Sequence, residues 1–509
     1  PEMVKVDPIT LVGQTQEEKS ISFPIPVALQ AMPGQTVTLA DYGQTMEVNN
    51  ESVASFTYDF DAPEAVKSLE YVDVNDGSGG VDLVLNLSLP SEVIVFESID
   101  VMMPKYMDMT LASTEYDATF DASQNMVHLS NYRTVMPLSL RFNVTRIHET
   151  HVDSENYAEL VGKKFSIKGN IKISASVKQL TVPAGRNHVD LTGGADFNNV
   201  IVVSARGVFD PDINLDTAGD VDITGIPDFL ADEEVVADLD NPQIWLTLRS
   251  TMPLDGILKM QLRSTTYPQG ITFDTPGRYI EVKASPDGVT ETETRVLVCR
   301  HNPGVSTSEY QVIEDDNLSL LVNKLEEGMK IEFLVIEAKA KQQTGNIRLN
   351  YEYHLAPYYR FTAPLAFGPN AVIVYSDVVD DWNKDIKKLS LSKGTYVHLT
   401  GTAVNQIPAD LIADVVPIDV NGQPLSDVSV ELIQNRASGT AGAPVESPLE
   451  VILRDASGSG ISKLDGVNFK LKAASNAQLR GITLNRTSQT LILKDVKVDI
   501  VGQVIYDAN

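Results

Sequence analysis

The stretch Phe165-Ser-Ile-Lys-Gly-Asn-Ile-Lys-Ile-Ser-Ala-Ser-Val177 alternates without a break. Phe165, Ile167, Gly169, Ile171, Ile173, Ala175 and Val177 fall on one side. Ser166, Lys168, Asn170, Lys172, Ser174 and Ser176 fall on the other. A period of two is the strand period, and apolar on one face with polar on the other marks a half-buried antiparallel strand. The same pattern recurs on both sides of this run. Val81, Leu83, Leu85, Leu87 and Leu89 alternate with Asp82, Val84, Asn86 and Ser88, and Ile244, Leu246 and Leu248 alternate with Trp245 and Thr247. Asp76-Gly77, Asp287-Gly288 and Asn421-Gly422 supply the positive-φ chemistry of tight hairpin turns. Helical spacing is scarce. Leu318, Leu321, Val322 and Leu325 predict a helix between a capping Asp316 and Gly328, and Tyr157, Leu160 and Val161 predict a shorter one from Ser154 to Gly162.

Three segments share a spaced signature: Pro63 to Asn75, Pro227 to Asn241 and Pro408 to Asn421. Each opens with Pro and an acid, as one helical turn would, and each reaches an Asp at position 73, 238 or 419. An alternating strand follows each one, and further on come Thr119-Phe120-Asp121, Thr272-Phe273-Asp274 and Thr483-Leu484-Asn485. In the first two modules a predicted short helix then ends at Gly162 or Gly328, and a strand begins. The ordered landmarks predict three related modules, 1–205, 206–355 and 356–509, the first preceded by a leading strand segment. Short strands, frequent turns and no alternation of strands with helices predict an all-β chain. Its architecture would be tandem antiparallel β-sandwich modules, immunoglobulin-like or related, with a few short helices.

Composition narrows the function classes. The 509 residues carry 40 Lys and Arg against 69 Asp and Glu, a formal charge of −29. Phosphate repels such a chain, so no nucleic-acid partner is expected, and docking on an anionic membrane surface is equally disfavoured. The 43% hydrophobic content is that of a globular protein. Cys299 is the single cysteine, which excludes an internal disulfide and a cysteine zinc site. No apolar run approaches the roughly 18 residues of a membrane-spanning helix.

No catalytic constellation assembles from spacing. His148-Glu149-Thr150-His151 has its histidines three apart, not the four of a zinc protease helix, and follows a strand-like run. Cys299 closes the alternating run that starts at Arg295 and reads as a small buried hydrophobe. Asp73, Asn75, Asp76 and Asp82 resemble a calcium loop, but Gly77 comes one position early and Val84 stands where a bidentate Glu belongs. A hairpin is the first reading there. Scattered acids still leave room for a non-EF-hand calcium site, and no other cofactor is expected. Trp245, Tyr358, Tyr359 and Trp382 are the candidate stacking surfaces for a sugar, because an aromatic ring face suits the apolar face of a pyranose. The tyrosines cluster at a predicted module boundary, where ligand clefts often lie and where amphipathic packing is also needed.

Phe361-Thr-Ala-Pro364-Leu-Ala-Phe367-Gly368, Val374-Tyr375-Ser-Asp377, Ile407-Pro408 and Pro417-Ile418-Asp419-Val-Asn421-Gly422 resemble stretches of secreted proteins of Bacteroidetes. That family comprises the mature parts of outer-surface lipoproteins built from repeated β-sandwich modules. The resemblance is clearest over 360–509. It implies a secreted protein of the outer-membrane surface or periplasm, with any lipid-bearing cysteine or signal peptide upstream of residue 1. The motifs mark turns and strand starts, so no functional residue carries over. The expectation is a non-enzymatic interaction protein, adhesin-like or structural, with a protein or glycan partner at the cell surface. The alternative is a glycan-binding protein for polysaccharide capture.

Overall fold

A computed structural model describes all residues except 1, 76–79, 89–92, 113, 115, 135–136, 198, 216–218, 225, 227–229, 231–232, 327, 441–442, 456–459, 475–480, 484–489, 503 and 507–509. The chain is all-β. The deciding stretch lies inside the strand Lys164–Thr181, whose Phe165, Ile167, Ile171 and Ile173 are fully buried. It pairs antiparallel with Glu47–Asp61 on one side and Ile94–Met102 on the other.

The first core is enclosed by one long curling sheet. Thr10–Pro24 explains how it turns back on itself. Thr10 to Glu18 pair with Glu47–Asp61, whereas Lys19 to Pro24 pair with His188–Phe197. A strand that changes partners midway makes the corner between two packed faces. Phe56, Phe60, Phe165, Phe197, Leu83, Leu85 and Phe142 fill the space between them.

The second core lies between two sheets. One runs in the order Glu2–Lys5, Glu352–Thr362, Gln243–Ser250, Thr292–Cys299 and Gln311–Glu314. Its last pairing is parallel. The other contains Gly219–Asp222, Lys330–Ala340, Gly256–Ser264 and Tyr267–Phe273. Ile244, Leu246 and Leu248 face Leu258, Met260, Leu262 and Phe333 across the interior.

The third part has two four-stranded sheets. Val372–Val379, Leu464–Ala474, Asp410–Asp419 and Arg436–Ala437 form one; Val428–Gln434, Val445–Asp455, Tyr396–Asn405 and Leu491–Val501 form the other. Val397, Val415, Leu453, Leu464 and Val467 are among their buried residues.

The first two parts exchange strands at their seam. Glu2–Lys5, from the chain start, pairs with Glu352–Thr362, and Thr344–Arg348 pairs with Ile201–Phe209 in the first sheet. Positions 205/206 and 355/356 both fall inside strands.

Two helix expectations are corrected. Ser154 to Gly162 is a hairpin between Thr150–Asp153 and Asn156–Val161. The Asp153 carboxylate accepts the N–H groups of Glu155 and Asn156, closing a turn where a helix would need the chain to continue. The predicted helix at 316–328 is a 3₁₀ segment, Asp316–Val322, and its cap is Asp315, which accepts the Asn317 N–H. Of the landmark residues, Asp76, Gly77, Leu89, Pro227, Leu484 and Asn485 lie outside the described residues.

Candidate functional site

The five-stranded sheet packs one face on the second core, and its other face is exposed at Tyr358, Arg360, Arg249 and Arg295 while Leu297 and Cys299 are covered. In Gln243–Ser250, Ile244, Leu246 and Leu248 point inward, so Gln243, Trp245, Thr247 and Arg249 point outward. Register assigns their neighbours. Trp245 lies between Arg360 and Leu297, Thr247 between Tyr358 and Arg295, and Arg249 between Ala356 and Glu293. Continuing the parallel register of Gln311–Glu314 by one residue brings Tyr310 beside Arg295.

Cross-strand contacts hold this face in place. The Trp245 indole N–H donates to Thr362 Oγ1 at 3.1 Å. Tyr310 meets the indole edge-on, with ring centroids 5.5 Å apart. The Arg360 guanidinium sits 5.5 Å from the indole centroid and that of Arg249 sits 5.1 Å from Tyr358. Glu293 accepts from Arg249 at 3.0 Å and from Arg295 at 2.7 Å. Those two arginines hold the Glu293 carboxyl below its ordinary range. The face remains open to solvent: Tyr358 is 54% exposed, and the side chains of Arg249 and Arg295 are 44% and 46% exposed. Aromatic bodies flanked by guanidinium groups can stack on a planar or pyranose ring and donate paired hydrogen bonds to a carboxylate.

The four stacking candidates therefore separate. Trp245 and Tyr358 share the open face as diagonal neighbours. Tyr359 points the other way and stacks on Phe333 at 4.5 Å inside the second core. Trp382 packs on the third core, and its backbone N–H donates to the Asp465 carbonyl at 2.8 Å. Sequence reasoning missed Arg360, Arg249, Arg295 and Tyr310. The alternation that placed Trp245 opposite Ile244 was a signal for Arg249, but which strands lie alongside is not a local property.

The calcium candidates have protein partners. Asp73 accepts from Arg146 Nε at 2.7 Å and from Ser204 Oγ at 2.7 Å. Asp82 pairs with Arg141 at 3.4 Å, and Asn75 sits opposite Ile201 in the sheet. Asp76 lies outside the described residues. No group of three or more His, Cys, Asp or Glu able to hold a metal ion occurs among the described residues. His148 and His151 are engaged separately, with Asp108 at 3.0 Å and Glu159 at 3.1 Å. Cys299 is buried, and burial pushes its thiol up to about 11. A polar groove of about 840 Å³ lies in the first part, lined by Glu17, Glu18, Asn86, Thr192 and Asp196 among others.

No family model and no curated protein matches the chain. Among solved structures it is similar to a "putative secreted protein" from Parabacteroides distasonis, with a TM-score of 0.34 and 15% identity, over 59% of this chain and 90% of that one. A likeness this slight transfers no role to any residue. No helix among the described residues is long and apolar enough to cross a membrane.

Proposed function

We propose that this chain is a non-enzymatic interaction protein, adhesin-like or structural, working at a bacterial cell surface or in the periplasm. The observation that carries this reading is the open face of the five-stranded sheet. Trp245, Tyr358, Arg249, Arg295 and Arg360 are mounted there on rigid strands, each beside a cross-strand neighbour. A flat, pre-organised display of aromatic and guanidinium groups suits recognition of an extended partner. The test is incubation of the purified full chain with a panel of glycans and peptides, read by mass spectrometry. Recovery of unaltered substrates is expected, and sustained turnover of any of them would overturn the proposal.

A second reading, capture of a polysaccharide, is favoured by one specific observation: Trp245 and Tyr358, both candidate sugar platforms, lie on the same face. Fluorescence quenching checks it. Titration with the right oligosaccharide should protect Trp245 from acrylamide and leave Trp382 unaffected. A quenching curve unchanged by every oligosaccharide in a broad panel counts against it.

A further inference from the structure

We propose that the open face of Gln243–Ser250, Thr292–Cys299 and Glu352–Thr362 binds an acidic polysaccharide of the uronic-acid class, with Arg360 as the group that selects the carboxylate. The proposal rests on the polysaccharide reading above and names its ligand class.

The argument begins with charge. The chain as a whole is −29, so an exposed arginine left without a carboxylate partner runs against its composition. Arg249, Arg295 and Arg360 stand on three adjacent strands of this sheet with Glu293 among them, and Glu352 and Glu291, which pairs with His354, lie toward the other end of the face. Glu293 is shared by Arg249 and Arg295. Arg360 is exposed, and among the described residues its contact is with the Trp245 ring and not with a carboxylate. Glu309 and Glu314 lie on the far side of Thr292–Cys299, away from Arg360.

The two kinds of group are interleaved at the spacing a sugar chain needs. Neighbouring strands lie about 4.8 Å apart, and alternate residues on one strand about 6.8 Å apart. Arg360 and Tyr358 occupy alternate positions on one strand, with Trp245 and Thr247 beside them on the next. A pyranose stacked on Trp245 or Tyr358 therefore has its ring substituents within reach of a guanidinium. A planar guanidinium meets a carboxylate through two parallel hydrogen bonds, which a neutral sugar cannot reciprocate. Trp245 is held by its bond to Thr362, so little ordering is required on binding.

The test uses the full chain and two probes of equal length, tetragalacturonic acid and cellotetraose, in isothermal titration calorimetry at low and high salt. Tetragalacturonic acid should bind at least tenfold more tightly than cellotetraose, with affinity falling as salt rises. Arg360→Gln and Tyr358→Ala alter exposed side chains, so their melting temperatures should match the parent. Each should weaken tetragalacturonic acid at least tenfold. If cellotetraose binds equally well and Tyr358→Ala removes it, the acidic ligand class is overturned and the polysaccharide reading stands. If neither probe binds, both fail. Equal binding of polyglutamate would reduce the face to an unselective anion patch and overturn the proposal. Self-association abolished by Arg360→Glu in sedimentation would assign the face to a second copy and overturn it also.

Discussion

Asp238 and Arg300 form a buried ion pair at the seam between the second core and the chain entering the third. Their side chains are 3% and 8% exposed, and Arg300 Nη1 reaches Asp238 Oδ1 at 3.0 Å and the Leu239 carbonyl at 2.9 Å. The second Asp238 oxygen accepts the Asn370 N–H at 2.7 Å. Arg300→Met would leave a carboxylate buried without its counter-charge. Breaking such a pair from one side costs about 3–5 kcal/mol, since the remaining charge has lost both water and partner. At about 2–4 °C per kcal/mol for a unit of 150–250 residues, the melting point should drop by roughly 6–20 °C. Asp238→Asn should also destabilise, by stranding the guanidinium. It leaves the backbone at ease, because position 238 has φ +27° and Asn tolerates positive φ. The double variant Asp238→Asn, Arg300→Met removes both charges. Arg300 Nε has no acceptor among the described residues, so the native pair is itself incompletely compensated. The double variant should therefore lose much less than the two single losses added together. Urea unfolding followed by Trp245 fluorescence in a Trp382→Phe background measures all four states. A loss below about 1 kcal/mol for Arg300→Met, or strict additivity in the double variant, would refute the reasoning.

Gly368 lies where an added Cβ would meet Asp238 Oδ2 at 2.6 Å and Arg300 Nη1 at 2.9 Å, so Gly368→Ala should destabilise the same transition in urea. Gly169→Ala would drive a methyl group to 2.3 Å from the Phe56 ring. Overpacking of this kind costs about 1–3 kcal/mol, and differential scanning calorimetry should show it. Asp287 accepts the N–H groups of Val289 and Thr290 and the Thr290 hydroxyl, which hold its carboxyl far below the ordinary 3.8. Its folded pKa is depressed, so its stabilisation is present above about pH 4 and is lost as the pH falls below that. Asp287→Ala should thus be less stable than the parent at pH 7, and the gap should narrow in urea titrations at pH 3. The Cys299 thiol, pushed up to about 11 by burial, should resist a thiol-specific disulfide reagent in the native protein and react once urea unfolds the second core.

Strand identity was readable because it is local. Phe165 to Val177 alternate in sequence and in space, since the side-chain period of a strand is two wherever the strand lies. The helix expectation over 154–162 failed for a local reason too. Tyr157, Leu160 and Val161 fit a helical stripe, but Asp153 offers the backbone a turn that ends any helix before it starts. The repeated Asp landmarks illustrate a different limit. Asp73 is mid-strand and bound to Arg146, Asp238 is buried against Arg300, and Asp419 accepts the N–H groups of Asn421 and Gln423 in a turn. One residue type at one spacing serves three electrostatic tasks, and spacing does not tell them apart.

The candidate face depends on the non-local part of the fold. Alternation puts Trp245 on the side opposite Ile244 and Leu246, but it is silent on whether that side is covered. Nor does it show that residues more than a hundred positions later lie alongside. Gln243–Ser250 pairs with Glu352–Thr362 in a register that sets Trp245 against Arg360 and Thr247 against Tyr358. A slip of one residue would turn Arg360 and Tyr358 into the core and bring Tyr359 and Phe361 out. Register is thus what makes a recognition surface from residues that are individually unremarkable, and the buried side fixes it. Tyr359 stacked on Phe333 at 4.5 Å cannot leave the core without exposing both rings. Tyr359→Ala should consequently lower stability through lost packing, whereas Tyr358→Ala, one position away, should leave the melting temperature unchanged and weaken only ligand binding. If both substitutions behave alike in melting and in binding, the assignment of opposite faces is wrong, and the surface built on it falls with it.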